Sequence, residues 1–172
     1  NIIKELKKTK LLQLNKEQIK IKKQELLNML NKKGENPLKV KKDIQQLMWE
    51  NAGVVRNSYN MKKALVNLNK YEKTKLDVGI SLKMNEKLIA ALDVKNMLPI
   101  CGMILKSALY RKESRGAHYR SDYKKTLLKW KKNILCIPLK NKIKISTRKI
   151  SKIPKELTKF LNKNPPKTHH LE

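Results

Sequence analysis

Three of the five arginines in this chain fall within ten consecutive positions, at the end of a helical stripe. Met97, Cys101, Ile104, Leu105, Ala108 and Leu109 recur at helical spacing and read as one buried face. Continued in register, Ile104, Ala108, Arg111 and Arg115 stand at i, i+4, i+7 and i+11, which predicts a helix to about residue 115 with Gly116 as its stop. Guanidinium groups on a buried face must meet acids or carbonyls, because an unpaired buried charge is very costly. Whatever this chain folds into must therefore build a polar knot here. Glu113 and Asp122 are the nearest acids, and the carbonyls left free at a helix end are natural further acceptors.

The choice of Arg supports that reading. Of 42 Lys and Arg residues only Arg56, Arg111, Arg115, Arg120 and Arg148 are Arg. A chain that uses Lys almost everywhere has Arg where a rigid planar fork of donors is needed. A lone His118, with no second His or Cys beside it, makes metal ligation improbable, and His169 and His170 fall in a tail.

The rest of the chain reads as helices and one hairpin. Residues 2 to 32 predict a long Lys-rich helix with Leu6, Ile19, Leu26, Leu27 and Leu30 on its apolar side. The run 32–37 breaks it: Gly34 suits a helix end, while Asn36 and Pro37 suit the cap and first position of the next helix. That helix carries Val40, Ile44, Leu47 and Met48 and ends near 51–53. A third has Val54, Ser58, Met61, Leu65, Leu68 and Tyr71 on one side, and residues 73 to 83 connect it onward. From Asn85 the chain is helical again, with either a new start capped by Asn96 or a kink at Pro99. After Trp130, Ile134 and Cys136 alternate, Lys140 and Asn141 turn, and Ile143 and Ile145 alternate back, which predicts a β-hairpin. The expected fold is mainly α: a helical bundle of about four helices with a C-terminal β-hairpin. Its expected parts are a basic helix and linker (1–35), the bundle with the Arg-rich segment (36–130), the hairpin (131–150) and a tail (151–172). The tail holds one short helix at 154–162, and its closing His-His-Leu-Glu resembles a vector scar.

The formal charge of +28 predicts sequence-independent attraction to polyanions. Aromatic residues are only 5%, so stacking platforms for single strands are scarce, and compositional bias is the preferred account over specific nucleic-acid binding. The expectations include no direct membrane insertion, since no apolar run approaches about 20 residues, and free thiols at Cys101 and Cys136.

Residues 111–123, RKESRGAHYRSDY, resemble the C-terminal signature of the flavoprotein subunits of succinate dehydrogenase and fumarate reductase; L-aspartate oxidase, a close relative, carries a looser form. Residues 47–57, LMWENAGVVRN, are similar to that family's "MW…GVVR" stretch, and Trp130 to Asn133 with the β-rich segment after it are similar to its C-terminal end. Order and spacing agree over roughly residues 38 to 150. Lys124 departs from the Pro usual in the family, which leaves the turn after Tyr123 open. Ala117 and Arg120 lean toward the fumarate and succinate enzymes, with L-aspartate oxidase as the alternative.

The resemblance implies a C-terminal domain packed on an upstream FAD-binding domain, in a parent that interconverts succinate and fumarate. It implies no catalytic, cofactor-binding or metal residue in this stretch, because the family's functional residues lie upstream; five glycines cannot write a G-x-G-x-x-G fingerprint either. An iron–sulfur subunit is an expected partner, and the expected location is cytoplasmic, or peripheral at a membrane through partner subunits. Two roles compete for the Arg-rich segment. Arg115, His118 and Arg120 could face a dicarboxylate or a flavin phosphate as an anion site. The preferred role is structural: Arg111, Glu113, Ser114, Arg115, Gly116, His118, Arg120 and Asp122 close the helix end and hold the domain against its neighbour, with Ser114, Gly116 and Ala117 permitting close approach. Trp49 is expected to fill a core between helices, and Arg56 to serve a core or surface role or to reach the flavin domain.

Overall fold

The structure, a computed structural model, describes residues 14–30, 33–139, 142–152, 154 and 157–159. Among these the protein is mainly α, with four α-helices ahead of an antiparallel strand pair, as expected. The helices are α1 (Lys16–Leu27), α2 (Pro37–Ala52), α3 (Ser58–Glu72) and α4 (Glu86–Tyr110). The chain divides into two compact units, one from Asn1–Glu50 and Leu65–Cys101, the other from Asn51–Ala64 and Gly102–Glu172.

In the first unit, Asn15 sits in extended backbone and its Oδ1 accepts from the amides of Glu17 and Gln18, so α1 begins at Lys16. The expected helix over 2–32 is therefore not continuous through Asn15, and its parts over 2–13 and 31–32 lie outside the described residues. No residue of α1 is buried, because lysines interrupt its apolar side. The break before α2 is as expected: Asn36 Oδ1 accepts from Leu38 N at 3.0 Å and Pro37 takes the first position. Gly34 closes no helix. A Cβ there would run into the backbone of Lys75, where Glu35 exchanges hydrogen bonds with the 75–77 segment.

On α2, Val40 and Ile44 are fully buried while Leu47 and Met48 are half-buried. Trp49 is 76% exposed, so it fills no core here; five residues on from Ile44, it lies off the buried row. Leu68, Ala90, Ala91, Val94, Leu98 and Cys101 are also buried. Val78, Leu88 and Ala91 form a core cluster that Met29 and Leu30 pack against. Asn85 caps α4, accepting from Leu88 N at 2.8 Å and donating to Val78 O at 2.6 Å.

α4 runs unbroken through Pro99, so no new helix starts at Asn96. By length and composition it could cross a membrane: it has 25 residues and a mean hydropathy of 1.7 over its most apolar stretch. A core helix of a globular fold passes the same test, and Asp93 and Lys95 interrupt the apolar run. Its row of buried residues serves packing, and Lys41 holds Asp93 at 2.6 Å.

In the second unit, α3 opens after Asn57, whose Oδ1 accepts from Asn60 N. Met61 and Ala64 are buried, but Val54 precedes the helix and is exposed, and Ser58 is its first residue rather than part of an apolar stripe. Strands β1 (Val55–Arg56) and β2 (Tyr119–Arg120) pair in parallel. A 3-10 turn at Leu128–Trp130 leads into the hairpin of β3 (Lys132–Leu139) and β4 (Lys142–Lys149), in register from Lys132↔Lys149 to Leu139↔Lys142. The expected turn at 140–141 lies outside the described residues. Of the expected tail helix, residues 157–159 are helical, Pro154 is not, and the rest lies outside the described set. Cys101 and Cys136 are free, the first buried and the second half-buried.

Candidate functional site

α4 ends at Tyr110, one turn before the sequence register predicts. Arg111 and Arg115 therefore do not extend its face, and Gly116 is not its stop. What ends the helix is visible in the carbonyls. Arg120 Nη1 donates to Ala108 O at 2.7 Å and to Arg111 O at 3.1 Å, so a guanidinium occupies the helix C-terminus where the free carbonyls concentrate. Arg120 is completely buried.

The rest of that guanidinium is equally committed. Nε donates to Asp122 Oδ1 at 2.7 Å, and Nη2 donates to Asp122 Oδ2 and to Ser58 Oγ, each at 2.8 Å. Asp122 in turn accepts from Ser58 N at 2.9 Å and Ser58 Oγ at 2.6 Å. One ion pair thus places its cation at the end of α4 and its anion at the start of α3, each matching the helix dipole it meets. Hydrogen bonds from Arg120 are the main reason the Asp122 carboxyl sits well below the usual carboxylate range. The Tyr123 ring lies 4.9 Å from the Arg120 guanidinium carbon.

Glu113 is the second centre, also with no exposed surface. It accepts from Arg111 Nη1 at 2.6 Å, Arg115 Nε at 2.8 Å, Arg115 Nη2 at 3.1 Å and Leu127 N at 2.8 Å. Burial pushes its carboxyl up, but the hydrogen bonds from Arg115, Leu127 and Arg111 outweigh that and hold it at about 2. Arg111 also donates to the carbonyls of Trp130 and Lys132, which ties the knot to the start of β3.

Ser114 and Gly116 shape the loop. Ser114 Oγ accepts from Arg120 N and donates to Tyr123 O. Gly116 has φ +55 in a turn where Arg115 and His118 exchange backbone hydrogen bonds. Nothing among the described residues comes within 4 Å of a Cβ built there, so among them it is conformation, not close approach, that favours glycine.

His118 Nδ1 lies 2.9 Å from Arg56 Nη1. Arginine has no acceptor, so Nδ1 must accept and the proton belongs on Nε2, which faces Arg111 O at 3.4 Å. Burial, aided by the charges of Arg56, Arg120 and Arg111, pushes the imidazole below its ordinary value and keeps it neutral. Arg56 Nε donates to Ala52 O and Gly53 O.

Seven of the eight sequence-predicted site residues therefore join one hydrogen-bond network, with Gly116 in the turn between Arg115 and His118, and Arg120 in particular has no donor left for a small anion. Sequence reasoning missed the amide of Leu127, the carbonyls of Trp130 and Lys132, and Ser58. The Asn57-Ser58 pair at a helix start was the one signal available for Ser58. Among the described residues there is no cluster of metal-ligating side chains. The one parallel strand pair among the described residues, β1 with β2, is two residues long, too short for a Rossmann-type dinucleotide fold.

A sequence profile of the fumarate reductase flavoprotein C-terminal family matches residues 41–169. The chain belongs to this family. Its relatives include an uncharacterised FAD-dependent oxidoreductase of Methanocaldococcus jannaschii, 38% identical over 93 residues (54% of this chain, 17% of that protein). A subunit of the CoM/CoB fumarate reductase of Methanothermobacter marburgensis is 31% identical over 114 residues (65% and 21%). L-aspartate oxidase of Synechocystis is 34% identical over 104 residues (51% and 19%). Among solved structures, a chain of the apo Sdh1 complex of Mycobacterium smegmatis superposes with a TM-score of 0.68 at 23% identity, covering 81% of this chain and 25% of that one, which shows the shared fold. This member of the C-terminal family spans about a fifth of the length of the curated relatives it matches.

Proposed function

We propose that this chain is the C-terminal helical domain of an FAD-dependent fumarate reductase or succinate dehydrogenase flavoprotein subunit. The parent interconverts succinate and fumarate by hydride transfer at a flavin bound upstream, and it works with an iron–sulfur subunit in the cytoplasm or at a membrane surface. One observation supports a non-catalytic role for this stretch: the guanidinium groups of Arg111 and Arg120 are engaged by groups of the chain itself. A site built to grip a substrate keeps such donors open. The knot instead fixes helix ends and offers a rigid surface to the flavin domain.

The test is on the full-length protein: its flavin spectrum, then oxidation of a reduced viologen by fumarate, with L-aspartate oxidation in parallel. Bound flavin with fumarate turnover and no aspartate oxidation supports the proposal. Aspartate oxidation would move the assignment to L-aspartate oxidase, a reading favoured only by the match to that enzyme. Absence of flavin would sink both. DNA binding that disappears with modest salt is the expected result of the +28 charge; tight, sequence-selective binding at physiological salt would refute the surface-charge account.

A further inference from the structure

Of the four arginines around the two carboxylates of the knot, one touches neither carboxylate. Glu113 pairs with Arg111 and Arg115, and Asp122 pairs with Arg120. Arg56 has no carboxylate partner among the described residues, although it is half-buried and burial pushes its guanidinium below its ordinary value. Its partners are all neutral: two helix-end carbonyls and the neutral His118. Nη2 makes no hydrogen bond among the described residues. Since no buried side-chain nitrogen or oxygen among the described residues lacks a partner, Nη2 keeps some surface exposed.

Arg56 also lines a hollow of about 360 Å³, together with Arg111 and His118 and the apolar side chains of Met103, Ile104 and Ile134. A desolvated guanidinium with a free edge beside an apolar lining binds a carboxylate held on an apolar body. The chain has little acid of its own to supply, with 14 Asp and Glu against 42 Lys and Arg. Most of the length of its relatives lies outside the matched stretch.

We infer that the Arg56 hollow is a receptor for an Asp or Glu side chain from the part of the same protein outside these 172 residues. The inference deepens the proposed function and rests on it, the donor being the flavin domain. The acid would bond Arg56 Nη2 while its apolar neighbours cover Ile104 and Ile134, so that the knot and the interdomain joint share one charge balance. His118, kept neutral, accepts from Nη1 and orients the fork without competing for the acid.

The test is zero-length coupling in the full-length protein. Arg56→Lys keeps the cation and places an amine in the hollow; a carbodiimide then joins it to any carboxylate in contact, and peptide mass spectrometry identifies the partner. The expected product links the residue 56 peptide to an Asp or Glu outside this chain. Coupling to Glu113, Asp122 or another acid of this chain overturns the inference. So does an uncoupled residue 56 peptide when other lysines react. Coupling to succinate added in excess, in place of a protein acid, also overturns it, because the hollow would then take free carboxylates. Flavin content of the same protein reads the underlying proposal separately. A cross-link outside the chain in a flavin-free protein keeps the receptor and removes the flavoprotein reading, whereas flavin without that cross-link removes the receptor alone.

Discussion

Replacing Glu113 with Gln should be among the most damaging conservative changes in this chain, and by an amount that depends on pH. Gln keeps the shape but swaps one carboxylate oxygen for a donor that faces donors, and it strips Arg111 and Arg115 of their counter-charge. The carboxyl falls from 4.5 to about 2 on folding. At about 1.36 kcal/mol per unit this corresponds to about 3 kcal/mol. Breaking a buried pair by removing one partner costs about 3–5 kcal/mol. The knot lies just beneath the surface, where water screens part of the interaction, so about 2–3 kcal/mol is expected at pH 7. Because the folded value is depressed, the stabilisation is complete above 4.5 and is lost as pH falls toward 2. At pH 2.5 the difference between wild type and variant should shrink to about a quarter of its neutral value. Urea unfolding followed by Trp130 fluorescence, in a Trp49→Phe background, reads this directly: Trp130 lies 5.6 Å from the Arg111 guanidinium carbon and packs edge-on to Tyr110. A penalty below about 0.5 kcal/mol at pH 7, or an equal penalty at pH 2.5, would refute the assignment of Glu113 as the charge centre.

Arg120→Lys should cost roughly 3 kcal/mol, because one ammonium cannot serve the Ala108 carbonyl, Ser58 and both Asp122 oxygens at once; calorimetry should show a Tm lower by roughly 6–12 °C. His118 titrates below 6.5 when folded, so its stabilisation is full above 6.5 and is lost as pH falls through the folded value. Tm should therefore drop between pH 7 and 5, less steeply in His118→Gln, and parallel curves would contradict the neutral imidazole. Pro99→Ala restores an amide to the middle of α4 at an exposed position and should stabilise by about 1–3 kcal/mol in urea unfolding. Gly116→Ala should destabilise by about 1 kcal/mol despite the open space around it, because φ is +55 there.

The fold was legible wherever a local rule decided it. Asn36-Pro37 opened α2, Val40 and Ile44 marked its buried row, and the change to alternation after Trp130 announced the hairpin. The end of α4 was not legible, because the competitor for its last carbonyls is a guanidinium ten residues further along the chain. Gly116 was misread for the same reason: a positive φ serves a loop turn as readily as a helix end. The eight site residues were found together by their Arg content and by family resemblance. Their acceptors were missed, since backbone carbonyls and amides carry no signal in a side-chain code. Trp49 was misplaced by its size, although its offset from Ile44 already put it off the buried row.

The separations across the knot carry a consequence for synthesis. Arg56 meets His118 across 62 positions, Ser58 meets Asp122 across 64, and Arg111 reaches forward to Lys132. A chain emerging from the ribosome therefore exposes the start of α3 with its capping acid still unmade, and holds it so until the last third arrives. Loop closure must precede any return from these bonds, which makes the second unit late to form. A nascent chain released before Lys132 would carry Arg111 and Glu113 without the carbonyls that complete them, a substrate better suited to chaperones and proteases than to assembly.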